Sequence, residues 1–155
     1  MKKLFLCLAA MVIAAGLLCG CSTKNIEGSL EEIMAQIYEG ADGKPFTIEK
    51  SITPDMDPQN FEYYFGTSNI KFKEALASDA AISPGVHSVV LIRVADDENI
   101  SALKDRIKDS NVGMKWVCAG VPKDDVIVDS VGDLVVIIIE RNPQPLYDNF
   151  KKLAK

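Results

Sequence analysis

Apolar positions recur with two different periods along this chain, and the places where the period changes mark its elements. Leu30, Ile33, Met34, Ile37 and Tyr38 fall on one helical face. Ser29 and Glu32 supply a capping box at its start, each side chain satisfying the other's free backbone N–H. Gly40 stops the run. Residues 41–56 read as loop, with a short extended stretch over 46–52. Asp57-Pro58 opens a brief helix that carries Phe61, Tyr64 and Phe65 into Gly66. Residues 70–77 read as extended, Ser83-Pro84-Gly85 as a turn, and 86–94 as a strand. Asp96-Asp97 is placed to cap a helix with Ile100, Leu103 and Ile107 on its stripe. Three strands are predicted next, over 115–121, 125–131 and 134–140. Gly132-Asp133 joins the last two, with Gly first, as a type II′ hairpin prefers. Asn142-Pro143 then opens a final helix with Leu146, Tyr147, Phe150 and Leu153 inward, and Lys151, Lys152 and Lys155 near its negative end.

This order predicts an α+β fold, a mostly antiparallel sheet of four to five strands packed with three to four short helices. Two of the strands do not alternate. Leu134-Val135-Val136-Ile137-Ile138-Ile139 and Val89-Val90-Leu91-Ile92 are apolar on both faces. Either helices cover both faces, or one face waits for a partner. Three or four helices are enough for the first arrangement. Under the second, Val89, Leu91, Val136 and Ile138 share a parity and form a candidate interaction surface. Val90, Ile92, Val135, Ile137 and Ile139 then form the covered face, and alternation alone does not say which set is which.

The first 21 residues change the picture most. Lys2 and Lys3 form a positive start, and residues 4–18 carry no charge, a length that suits a signal-peptide core and falls short of a membrane span. Leu18-Cys19-Gly20-Cys21 follows and resembles the lipobox of bacterial lipoproteins, in which Leu18 and Gly20 flank cleavage and Cys21 takes the lipid. The predicted organisation is a signal peptide over 1–20, a lipidated N-terminus and tether over 21–28, and one α+β domain over 29–155. Loss of Lys2 and Lys3 takes two of the 17 basic residues against 22 acids, so the formal charge moves from −5 to −7. An anionic membrane repels such a body, and the lipid must hold it. Of four cysteines only Cys118 then remains as a free thiol, read as a small buried hydrophobe, and no internal disulfide can form.

The lipobox, the 86–94 strand with its following helix, and Asn111-Val112-Gly113-Met114-Lys115-Trp116-Val117-Cys118 leading to Val126-Ile127-Val128 and Gly132-Asp133-Leu134-Val135-Val136 resemble one group of proteins. It is the lipoprotein family known as domain-of-unknown-function family 4358, from anaerobic Gram-positive bacteria. The similarity runs over roughly residues 30–140. It implies a single extracytoplasmic domain and brings no activity or site residue with it.

Candidate chemistry is sparse. The acidic charge leaves no footprint for nucleic acid. One histidine, His87, cannot build an imidazole metal site alone, and its neighbour Ser88 points to the opposite face of the strand. His87 therefore reads as an ordinary surface or sheet-edge residue. Asp96-Asp97-Glu98 suits a helix start, Asp124-Asp125 a turn, and Asp55-x-Asp57 lacks the other ligands of a calcium loop. No metal and no cofactor are predicted. In Phe61-Glu62-Tyr63-Tyr64-Phe65, Tyr63 alone points away from the buried side of its helix. It is a candidate stacking surface for sugar or peptide. The resulting expectation is a membrane-anchored, extracytoplasmic lipoprotein acting as a non-catalytic binding or interaction module, with an envelope protein or cell-wall ligand as partner. The alternative is a hydrolase-like envelope enzyme with a site assembled from scattered residues.

Overall fold

The computed structural model describes residues 25–41, 47–81, 85–116 and 119–154. Its elements are α1 (Leu30–Ile37), β1 (Thr47–Ile52), α2 (Pro58–Phe65), β2 (Phe72–Ala80), β3 (His87–Val94), α3 (Ile100–Asp109), β4 (Ile127–Val131), β5 (Leu134–Glu140) and α4 (Gln144–Lys152). The strands form one antiparallel sheet in the order β1-β2-β3-β5-β4, so the fold is α+β. No helix among the described residues is long and apolar enough to cross a membrane.

Both faces of the central strands β3 and β5 are covered, while the edge strand β1 is exposed over residues 48–51. On one face Val90, Ile92, Val135, Ile137 and Ile139 pack with Phe61, Tyr64 and Phe65 of α2, and with Leu103 and Ile107 of α3. On the other, Val89, Leu91, Val136 and Ile138 pack with Leu30, Ile33, Met34 and Ile37 of α1, and with Leu146 and Phe150 of α4. This removes the candidate surface on the sheet: Leu91, Val136 and Ile138 are each 0% exposed and belong to the core. The physical reason is that α1 and α4 close over one face together. Asn149 on α4 donates to the carbonyls of Ile37 and Glu39 at 2.9 and 2.8 Å, so one helix caps the open C-terminal end of the other.

Local signals account for most element ends. Ser29 and Glu32 form the capping box on α1, and Asp57 caps α2 by accepting from the Gln59 N–H at 2.9 Å. At the β4–β5 turn Gly132 has φ +56°, while no described non-glycine residue has positive φ. A positive φ at the first central position only is the type II′ signature. Two expectations are corrected. Asn99, not Asp96 or Asp97, caps α3 by accepting from the Ala102 N–H at 3.0 Å; the two aspartates pair across the loop with Lys73 and Lys71. The 115–121 run is not a strand at any described position. Instead the Val121 N–H donates to the Gly113 carbonyl at 2.9 Å, and a Cβ at Gly113 would collide with Val121, so the segment doubles back where glycine lets backbone meet backbone.

Because Leu91 and Ile138 are core on the α1–α4 side, a carboxylate placed at either cannot reach water. Leu91→Glu and Ile138→Glu are each expected to unfold the domain, since burying an unpaired charge outweighs a total stability of about 5–15 kcal/mol. Circular dichroism melts would show it. A cooperative, native-like melt for either variant would contradict the packing described.

Candidate functional site

The sheet has two dissimilar ends. At one, β2 begins, β3 stops and the β4–β5 turn closes. At the other, β2 runs out at Ala80, β3 begins at His87 and β5 ends at Glu140. Among the described residues the buried polar ones, Ser78, His87 and Ser88, all lie at this second, far end. Ser78 and Asp79 on β2 stand opposite Val89 and Ser88 on β3, and His87 stands opposite Glu140 on β5. Since successive strand residues face opposite sides, these groups sort into two clusters, back to back through the sheet.

On the α2–α3 side the centre is Lys115. Its ammonium bonds to Asp79 Oδ1 and Ser88 Oγ, each at 2.9 Å, with only 3% of the side chain exposed. The rings of Tyr63, Trp116 and Tyr64 surround it, with Nζ at 4.8, 5.0 and 5.4 Å from their centroids. A desolvated ammonium gains from such π faces. Burial lowers the Lys115 pKa, and the Asp79 carboxylate opposes that shift without cancelling it. Of the three exposed large apolar side chains among the described residues, Ile48, Tyr63 and Met114, the first two border this cluster. Ile48 stands opposite Asp79 in register, Tyr63 holds the ammonium against its ring, and Met114 precedes Lys115 in the chain.

On the α1–α4 side a hydrogen-bonded chain runs from Glu140 to Ser78. His87 Nδ1 meets Glu140 Oε2 at 2.5 Å, His87 Nε2 meets the Tyr38 hydroxyl at 2.6 Å, and that hydroxyl donates to Ser78 Oγ at 3.0 Å. An ionised carboxylate only accepts, which places a proton on Nδ1. Burial pushes the Tyr38 hydroxyl up to about 12, against the lowering effect of Ser78. For Glu140 burial acts upward, yet the bonds from His87 and from the Arg141 and Asn142 backbone outweigh it and lower its pKa. His87 is thus 4% exposed on the central strand, and its reading as a surface or edge residue is overturned. Tyr38 and Glu140 supply the partners that offset taking an imidazole out of water.

The remaining candidates fall elsewhere. Tyr63 is 42% exposed and sits in the Lys115 cluster. Cys21, Leu18, Gly20 and Cys118 lie outside the described residues. Asp55 accepts from the Thr53 hydroxyl, and Asp57 caps a helix; among the described residues no group of three acidic, histidine or cysteine side chains could hold a metal. A groove of about 700 Å³ follows the outer edge of β4, but its central carboxylate, Asp129, is already bonded to Tyr147, Lys104 and Lys151. Burial acts upward on that carboxylate; the Tyr147 hydroxyl, the Ser130 N–H and Lys151 outweigh it and bring the pKa down to about 2.

Lys115, Asp79 and Ser88 were invisible as a set in the sequence, because the residues lie 27 and 36 positions apart. The usable signal was parity: Asp79 and Ser88 are polar on strand faces that are otherwise apolar. Neither a family profile, nor a curated protein, nor a solved structure matches the chain.

Two stability measurements check this geometry. Asp79→Ala leaves an ammonium that is only 3% exposed without its counter-charge and should cost about 3 kcal/mol, whereas Lys115→Met fills the same space and leaves Asp79, 18% exposed, within reach of water, and should cost about 1 kcal/mol. Equal losses in urea titrations would contradict the electrostatic account. The raised Tyr38 pKa means that the folded state holds the phenolic proton more tightly than the unfolded chain. That stabilisation is present below the ordinary value of 10.0 and is lost as pH climbs through about 12. Tyr38→Phe should therefore be less stable at neutral pH but lose less between pH 10 and 12 than the wild type. A parallel alkaline limb in both proteins would show that Tyr38 does not carry it.

Proposed function

We propose that this chain is a lipid-anchored module of the bacterial cell envelope, tethered through Cys21 on the extracytoplasmic face, and that it works by contact with a protein partner. The location is supported by Leu18-Cys19-Gly20-Cys21 behind an uncharged run, as in the lipoprotein family whose pattern it resembles. The contact reading is carried by one observation: two of the three exposed large apolar side chains described, Ile48 and Tyr63, border a single buried lysine–aspartate pair, and the third, Met114, adjoins its lysine in the chain. A tyrosine beside flexible aliphatic groups is the composition that anchors protein interfaces. A cell-wall glycan would want more polar side chains beside its stacking ring.

Two experiments test it. Metabolic labelling with an alkyne fatty acid should mark the wild type and not Cys21→Ala; label kept in that variant but lost in Cys19→Ala would assign the wrong cysteine. In intact cells, a photocrosslinking residue at Tyr63 or Met114 should give a discrete protein adduct that Ile48→Glu abolishes and that the same probe at Asp96 does not form. Equal adducts from all three positions, or binding of purified muropeptides at Tyr63 instead, would overturn the protein-partner reading.

The alternative, a hydrolase, has a specific observation in its favour. Ser88 Oγ lies 2.9 Å from a lysine whose pKa is lowered, the arrangement a serine–lysine nucleophile needs. Against it, Ser88 is 0% exposed and Asp79 favours the charged ammonium, which cannot act as a base. Covalent labelling of Ser88 by a fluorophosphonate in the folded protein would decide for the enzyme.

A further inference from the structure

Residues 25–28 precede α1, yet they are not free chain. Ile26 is 7% exposed and packs into the α1–α4 core. Arg93, near the end of β3, donates to the Ile26 carbonyl at 3.2 Å and to the Gly28 carbonyl at 2.9 Å. Its guanidinium is itself held by Glu74 at 2.9 Å and by Asp133 at 3.5 Å. Asn25 Oδ1 accepts from the Asp133 N–H at 3.2 Å. The backbone of Asn25 also lies so close to Gly132 that a Cβ there would collide with it. Gly132 thus serves the turn and the close approach together. The sequence reading of 21–28 as a tether is corrected accordingly, because its last four residues are clipped to the body of the domain.

We infer that this clip fixes how the domain stands on the lipid bilayer, with the β4–β5 turn and the 95–98 loop toward the headgroups and the Tyr63–Lys115 end away from them. The inference rests on lipidation at Cys21. Only Ser22, Thr23 and Lys24 separate that cysteine from Asn25. Four steps of chain span at most about 14 Å. Eight residues of β3, from Val94 back to His87, set the far end about 23 Å beyond the clip. A three-residue leash ending on a rigid turn cannot bring that far end to the membrane. Had residues 21–28 all been flexible, the leash would have doubled and the body could have rolled over.

The test uses the full acylated chain in vesicles of phosphatidylglycerol with a nitroxide-headgroup lipid. A fluorophore goes either at Asp96, on the loop after β3, or at Ile48, opposite Asp79 at the far end. Quenching at Asp96 should exceed that at Ile48 several-fold. Inserting about ten Gly/Ser residues between Lys24 and Asn25 adds a flexible span of roughly 18 Å and should erase most of that contrast without touching the fold. Equal quenching at the two positions in the unextended protein would overturn the inference, as would an undiminished contrast after insertion. Failure of the lipidation reading looks different: wild type and Cys21→Ala would then float free of the vesicles alike, before any quenching is compared.

Discussion

The constraint on which the rest of this structure depends is that β3 and β5 have no polar face. A strand with alternating character needs one layer above it; these two need a layer on each side. The chain meets that need with two pairs of helices. The pair between strands, α2 and α3, covers one face, and the pair at the ends of the domain, α1 and α4, covers the other. One consequence is topological. Helices α1 and α4 must lie side by side, which is why an asparagine of α4 can cap α1, and why the segment entering α1 lies against the β4–β5 turn.

The same constraint explains what could be read in advance. Continuous apolar runs and local caps are signals that need no knowledge of tertiary structure. The 134–140 strand, the helix behind Ser29 and the Gly132-Asp133 turn all followed from neighbours in sequence. The failures came where a distant partner decided. Asp96 and Asp97 had the chemistry of caps, but Lys73 and Lys71 lay across the loop to bind them, and Asn99 took the helix. Residues 115–121 had the composition of a strand, but the Val121 N–H bonds to the Gly113 carbonyl, and the bare Cα atoms of Gly113 and Gly120 allow that close approach in place of pairing with the sheet. The choice between a covered face and a waiting one also depended on packing, and packing removed Leu91, Val136 and Ile138 from the surface.

The far-end site was legible only in its exposed member. Tyr63 stood out because a short helix cannot bury four aromatics on one side. Its companions did not stand out, since a lone lysine, an aspartate and a serine are unremarkable until register brings them together. Tyr38 and His87 are 49 residues apart, and nothing in either neighbourhood announces the other. Burial alters the meaning of each. In water His87 would be an ordinary imidazole; against Tyr38 and Glu140 it is the middle of a chain whose loss would leave buried groups without partners.

Placing these polar clusters at one end of the sheet and the arginine clip at the other has a mechanical meaning. All five strands run along the line that joins the two ends, and both faces of that line are packed. Such a body has no hinge between clip and far end, so an orientation imposed at Asn25 is carried through β3 to Asp79, Lys115 and Tyr63. If Cys21 is lipidated as proposed, a domain with negative formal charge would gain nothing from lying flat on an anionic surface, and the short leash would remove most of the entropy that favours tumbling. Under that arrangement the apolar side chains around Lys115 stand in solvent, clear of the lipid that would otherwise compete for them. With the proposed tether at Cys21, an exposed tyrosine, isoleucine and methionine would capture another protein only if the bilayer could not reach them first, and the clip would be the part of the fold that kept it from doing so.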